Sequence, residues 1–329
     1  MVAKPASRAE STQGGSFLKW FFILVVALIA IDVFNSFRSG KALFAFKGFE
    51  KHFMLQQVIR FTGTDTTGKP MSANAVVVVG PDEFAVADTS GCRVLLYNFD
   101  GKLIRQWGKY GSKGPYELHE PSSIVTDHQG HIFVMDTWNG AIKGYDLNGK
   151  SIGTIDLNHF QSFYGPRNIT WGGKFFLVSD VANYRIVKLS LDGQIIGAIS
   201  GKGAGKGQFM GICDTIMDNS GNWYVADAGG NNRVEIFDDS GKVIRIIKAR
   251  VPPNVLAIDS QNRLFVGCWG AVSKAFTIDG KYLGDLEDAA QPGVSLNGIL
   301  GLDTAPNGLI ITSGGDQVTI YRAQDDKKN

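Results

Sequence analysis

An all-β fold is predicted by three observations. Short aromatic and aliphatic runs recur along the chain between Gly-, Asn- and Asp-rich turns, and the 329 residues include 41 glycines. The most legible unit, residues 223–247 (WYVADAGGNNRVEIFDDSGKVIRII), holds a strand ending in Asp227, a Gly/Asn turn, a strand from Arg233, a tight turn at 239–241 and a third strand. Six copies of this unit follow one another at a period of 41 to 48 residues, each preceded by a further apolar segment that brings the count to four strands per repeat. Repeats of that length and strand number specify the blades of a β-propeller, here six.

Composition bounds the remaining classes. Hydrophobic residues make up 44% of the chain, enough for a packed core, and a formal net charge of +2 leaves no general attraction to nucleic acid or another polyanion. Cys92, Cys213 and Cys268 lie far apart and form no CxxC pair, so they define neither a disulfide framework nor a redox compartment.

The elements follow in order. A polar tail, residues 1–16, precedes an apolar segment at 17–37 (FLKWFFILVVALIAIDVFNSF), uninterrupted from Trp20 to Ile31. Spanning a bilayer takes roughly 20 residues, and Lys19 and Asp32 lie near the ends of the run, where they can snorkel. The first reading is one transmembrane helix, a signal-anchor, ahead of the propeller. A cleaved signal peptide is the alternative, although no small-x-small site follows. Lys4, Arg8 and Lys19 before the segment balance Arg38, Lys41, Lys47 and Lys51 after it, so local charge sets no orientation. We expect the propeller to be extracytoplasmic, periplasmic or extracellular, because a lone apolar segment ahead of a globular domain acts as an export signal or anchor. Residues 38–53 form a juxtamembrane linker in which Leu43, Phe46, Phe49 and Phe53 alternate with lysines at helical spacing. That spacing suits either a short interfacial helix or a linker whose phenylalanines pack under the domain.

The propeller is placed at 54–325, with a C-terminal tail at 326–329. Four copies, at 84–108, 132–155, 176–199 and 223–247, carry Asp88, Asp136, Asp180 and Asp227 at one marker position; Cys268 and Ser313 replace it in copies 264–286 and 309–323. The last copy lacks its outermost strand, and residues 58–63 (VIRFTG) resemble 103–108 (LIRQWG). An N-terminal strand is therefore expected to close the ring against the last blade, which protects edges that would otherwise be open.

The D-x-x-x-x-R-V pattern, the aromatic-x-x-x-G that follows it, and loops such as GKYGSKGPYEL and GKGAGKGQF resemble NHL repeats over roughly residues 58–323. The resemblance implies an NHL-like propeller. It leaves activity open, since such propellers include protein- and RNA-binding modules and an amidating-lyase branch. Here Pro121 is followed by Ser122 and Pro166 by Arg167, where that branch requires channel histidines, so the lyase chemistry is not expected.

Propeller topology sorts residues by face. Turns between second and third strands share a face with the connections between blades, which groups the four marker aspartates with Arg93, Arg185 and Arg233, and adds Lys69, Lys109, Lys113, Lys202, Lys206 and Arg250. The Asp and Arg positions read as turn caps and ion pairs. No repeat rule supplies the loop lysines with acids, so they predict a positive rim that attracts an anionic surface or ligand. At the starts of the innermost strands, Asn74, Ser123, Asn168 and Asp214 form a one-sided polar cluster, while Val255 and Ile299 stand in the last two blades. Such a cluster either orients a small polar ligand, binds calcium at the channel mouth, or holds water. His128 and His131 share one hairpin with no third ligand, the wrong context for zinc, and GKGAGKGQF lacks phosphate-loop spacing.

These residues lead to a non-catalytic reading: a membrane-tethered binding or scaffold module presenting its lysine-bearing face to a protein, glycan or other anionic partner. It needs no metal or other cofactor and no nucleic acid. The alternative is a metal-dependent hydrolase or lactonase with its site at the channel mouth.

Overall fold

The computed structural model describes residues 51–158 and 163–324. The apolar segment 17–37, most of the linker and the C-terminal tail lie outside the described residues. Among the described residues there is no α-helix, and no helix long and apolar enough to cross a membrane.

Four sheets are separate and four-stranded. Listed from the innermost strand outward, they are Ala73–Val78, Glu83–Asp88, Arg93–Asn98 and Leu103–Trp107; Pro121–Thr126, His131–Asp136, Ala141–Asp146 and Ser151–Asp156; Pro166–Trp171, Phe175–Asp180, Arg185–Ser190 and Ile195–Ser200; and Ile212–Met217, Trp223–Asp227, Arg233–Phe237 and Val243–Lys248. The remaining strands form one eight-stranded sheet in the order Val255–Ile258, Arg263–Gly267, Lys274–Thr277, Tyr282–Asp288, His52–Thr62, Gln317–Ala323, Leu309–Gly314, Gly301–Thr304. The cause of this fusion is the first strand, which is 11 residues long. Its start, His52 to Leu55, pairs in parallel with Asp285 to Asp288, and Leu55 to Thr62 pair antiparallel with the strand Gln317–Ala323. The closing strand expected from VIRFTG is therefore present, and it begins at His52, inside the stretch assigned to the linker. Alternation explains the earlier start: Phe53 and Leu55 are buried, and Phe53 packs edge-on against Phe265 with ring centroids 5.7 Å apart.

The inner strands touch in sequence order around a central channel, and Gly301–Thr304 returns to Ala73–Val78. The core lies between sheets: Ala85, Val94, Leu96 and Trp107 of one pack on Ile124, Ile132, Val134 and Tyr145 of the next. At roughly 1.5–3 kcal/mol for each buried aliphatic or aromatic side chain, these interfaces account for most of the hydrophobic stabilisation. The result is a propeller, each sheet buried on both faces by its neighbours.

Candidate functional site

The marker aspartates are architectural. Asp88, Asp136, Asp180 and Asp227 have no exposed surface. Each carboxylate accepts the backbone N–H that leads into its sheet's inner strand: Ser72 at 2.8 Å, His119 at 2.7 Å, Tyr164 at 2.8 Å, and Met210 at 2.9 Å. Basic side chains from the third strand neutralise them, with Arg93, Arg185 and Arg233 at 2.6, 2.7 and 3.3 Å, and Lys143 taking the arginine's place at 3.1 Å from Asp136. Arg93 is also paired with Asp65, whose carboxyl is held below the usual range chiefly by the Thr67 hydroxyl, with the Lys69 and Thr67 amides assisting. The turn at Asp227 requires glycine at 229, where φ is +41° and an added Cβ would sit 2.3 Å from the Met210 carbonyl oxygen.

The lysine loops are built the same way twice. In 109–118, Glu117 accepts the amides of Lys113 and Gly114 at 2.8 and 3.1 Å, while Lys143 Nζ caps the carbonyls of Gly114 and Glu117. In 201–209, Gln208 accepts the Gly205 amide at 3.0 Å and Arg233 caps the carbonyls of Ala204, Gly205 and Gln208. Lys109, Lys113, Lys202 and Lys206 are all exposed. The expectation that no acidic partners are supplied to them is corrected for Lys109, and Lys202 has an aromatic neighbour instead. Lys109 lies 3.6 Å from Glu117, because the loop folds back on itself, and Lys202 sits 4.7 Å from the centre of the Tyr184 ring. At 71% exposure the Lys109 pair is worth little and leaves the face basic.

Aromatic side chains on that face are the larger surprise. Tyr110, Trp138, Tyr164 and Trp269 are 70, 66, 73 and 66% exposed. All four lie in connections between sheets or in turns after second strands, so topology gives them the same face as the lysines. The His119 ring stands between Tyr110 and Trp138, with centroids 5.1 and 6.2 Å away. The sequence contains these rings without showing their exposure, because a tryptophan in a turn reads the same whether it is buried or free.

The central channel has a volume of about 640 Å³. Asn168, Ser123 and Asp214 come together there as expected. Asn168 Nδ2 donates to Asp214 at 2.6 Å and to Ser123 Oγ at 3.3 Å, and its Oδ1 accepts the Thr215 amide at 3.3 Å. Asp214 also accepts the Leu256 amide at 2.7 Å. Asn74 lines the same channel. One carboxylate escaped the repeat alignment: Asp303 accepts the Val78 and Thr304 amides at 2.7 and 2.8 Å. Inner strands of neighbouring sheets do not form ladders with each other, so their amides need other acceptors, and this belt of side chains supplies them. Asn254 extends it by donating to the Ile299 carbonyl at 3.2 Å. Burial raises the carboxyl of Asp214 to about 7, and that of Asp303 to about 6, against the opposing pull of their amide donors.

Other candidates separate from the channel's middle. His131 bonds Asp127 at 2.6 Å, and Arg167 at the mouth pairs with Glu120 at 3.3 Å. No group of three or more His, Cys, Asp or Glu residues suited to a metal occurs among the described residues. The channel set fits calcium poorly, because amide donors already face both oxygens of Asp214.

No family model matches the chain. Human NHL repeat-containing protein 3 is 25% identical over 247 residues, which is 68% of this chain and 62% of that protein, so the match spans less than two thirds of the relative. Among solved structures, a streptogramin B lyase superposes with a TM-score of 0.58 at 12% identity, covering 81% of this chain and 97% of the other. Virginiamycin B lyase from Staphylococcus aureus gives 0.58 at 12% identity, over 80 and 98%. A catalytically inactive variant of the virginiamycin B lyase with quinupristin gives 0.54 at 15% identity, over 79 and 82%. The chain is thus a β-propeller with sequence likeness to an NHL repeat protein, and its solved neighbours share the fold alone.

Proposed function

We propose that the chain is a binding or scaffold module that docks an anionic protein or glycan on the face carrying Tyr110, Trp138, Tyr164, Trp269 and the loop lysines. The observation that carries this reading is the exposure of four large aromatic rings, three of them (Tyr110, Trp138 and Tyr164) on loops fixed by buried carboxylates or cations. Such rings are left in water at a cost that a partner recovers on contact. Lys109, Lys113, Lys202 and Lys206 would steer the partner, with Arg93, Arg185 and Arg233 acting beneath as supports. We count the eight-stranded sheet as two blades sharing the strand His52–Thr62, which makes six. Residues 17–37 would tether the propeller outside the cytoplasm. Binding of the full chain to an array of sulfated and carboxylated glycans and acidic peptides tests the reading. Charge reversal of the four lysines, or Trp138→Ala with Trp269→Ala, should reduce capture at least tenfold. Unchanged capture in both variants would sink the proposal.

A second reading, a hydrolase or lactonase at the channel mouth, draws support from the 640 Å³ channel and its two carboxylates. Turnover of a lactone or ester panel that disappears in both Asp214→Asn and Asp303→Asn would favour it.

A further inference from the structure

The chain enters the inner strand Pro121–Thr126 through Glu120, which holds φ at +65°, the left-handed place that Gly165 holds at +68° one sheet further on. A side chain there is costlier than glycine. The turn after the second strand is bonded to this entry twice: the Thr137 amide donates to the Glu120 carbonyl and the Trp138 amide to the His119 carbonyl, both at 3.2 Å. Asn139 ties the same turn to the neighbouring loop by donating to the Gly111 carbonyl at 2.9 Å. In that loop Lys109 and Tyr110 pair with Glu117 and Leu118. Three rings distant in sequence, Tyr110, His119 and Trp138, are thereby mounted in one row on backbone with little freedom.

The row is exposed and its polar atoms are open. His119 stands between rings that are 70 and 66% exposed, and the outer centroids are no farther apart than 5.1 and 6.2 Å laid end to end. Neither ring nitrogen of His119, nor the Trp138 indole N–H, nor the Tyr110 hydroxyl bonds another described residue. The backbone beneath is already paired, so it offers a polypeptide no strand edge to extend. Aromatic faces with donors and an acceptor at their margins match a pyranose, whose C–H face stacks on a ring while its hydroxyls bond the imidazole. The charges around the row are Lys109, Lys113 and Arg167 against Glu117 and Glu120, and the two acids are the more covered, with side chains 26 and 19% exposed. An excess of one positive charge suits a sugar bearing a single carboxylate.

We propose that Tyr110, His119 and Trp138 form a subsite for a uronic acid residue of an acidic polysaccharide. One sugar face stacks on Trp138, hydroxyls bond His119, and the carboxylate is drawn to Lys109. This rests on the docking reading of the same face and commits it to a glycan. Calorimetric titration of the full chain with a galacturonic acid hexamer, its methyl ester and hexaglutamate tests the subsite. The uronate hexamer should bind at least tenfold more tightly than either of the others. Trp138→Ala should weaken it at least tenfold, as should His119→Phe, which keeps a ring and loses both nitrogens. Tyr110→Ala, on a separate loop, should weaken it likewise and decides the matter if a change at 119 or 138 folds poorly. Hexaglutamate binding as tightly as the uronate overturns the subsite and assigns the face to a polypeptide. Uronate binding that is absent, or equal in the native chain, Trp138→Ala and His119→Phe, also overturns it. If the glycan and peptide array still captures other anions, the docking reading survives that failure; if it captures none, both fail.

Discussion

The carboxylates of the channel make the stability of the propeller fall as pH rises through the neutral range, and Asp214 carries most of the effect. Its carboxyl titrates at about 7 in the folded protein and near 3.8 when free, so between those values the folded state holds a proton that the unfolded state has released. Stability therefore decreases from about pH 4 to about pH 7 and levels above it. At about 1.4 kcal/mol per pH unit, Asp214 contributes on the order of 3 kcal/mol between pH 5 and 7. Asp303, titrating at about 6, adds on the order of 1.4 kcal/mol between pH 5 and 6. Carboxyls held below their usual values, including Asp127, Glu117 and Asp238, act in the opposite sense only at lower pH. Urea unfolding at pH 5 and pH 8 should show a loss of about 4 kcal/mol in the native chain and about 1.4 in Asp214→Asn. The variant also gives up an acceptor for the Leu256 or Thr215 amide, costing about 1–3 kcal/mol at pH 5. A pH slope unchanged by Asp214→Asn, or stability that rises from pH 5 to pH 8, would refute the desolvation argument.

Four further expectations concern the scaffold. Asp227→Ala strips the carboxylate from Arg233, Asn231 and the Met210 and Gly211 amides and should cost about 3–5 kcal/mol by denaturant unfolding. Leu55→Ala, at the fully buried junction where the closing strand changes partners, should cost about 2–5 kcal/mol and speed proteolysis. Val58→Ala, 55% exposed on the same strand, should stay within about 0.5 kcal/mol of the native chain. Burial pushes the Cys213 and Cys268 thiols up to about 11 and about 12, so iodoacetamide at pH 8 should label them at least tenfold more slowly in the folded protein than in urea.

The repeat was legible because each strand is short, apolar and punctuated, and because Asp88, Asp136, Asp180 and Asp227 mark one position whose bonding geometry recurs. The closing strand was legible for a related reason, since VIRFTG must satisfy the same neighbours as LIRQWG. Its first residues were hidden: Phe46, Phe49 and Phe53 share a helical spacing, and the two-residue alternation of Phe53 and Leu55 is too short to outweigh it. Asp303 was missed because the channel positions were aligned on strand starts. It pairs with Ile311, two residues before Ser313, whereas Asp214 pairs with Ala226, one before Asp227. The Lys109–Glu117 contact and the exposure of Trp138 and Trp269 depend on how loops fold back over the sheets, which no local pattern records.

The strand His52–Thr62 has a consequence for synthesis. Arg60 and its partner Thr319 are 259 residues apart. At roughly 5–20 residues per second, this strand waits on the order of 10–50 s after emerging before its antiparallel partner exists. Until then it presents free backbone edges. The edge of Tyr282–Asp288 is retired by His52 to Leu55, whereas the rest of the closing strand stays unpaired until Gln317–Ala323 is made. Closure by His52–Thr62 therefore joins segments made far apart in time, and the ring stays open until Gln317–Ala323 is synthesised.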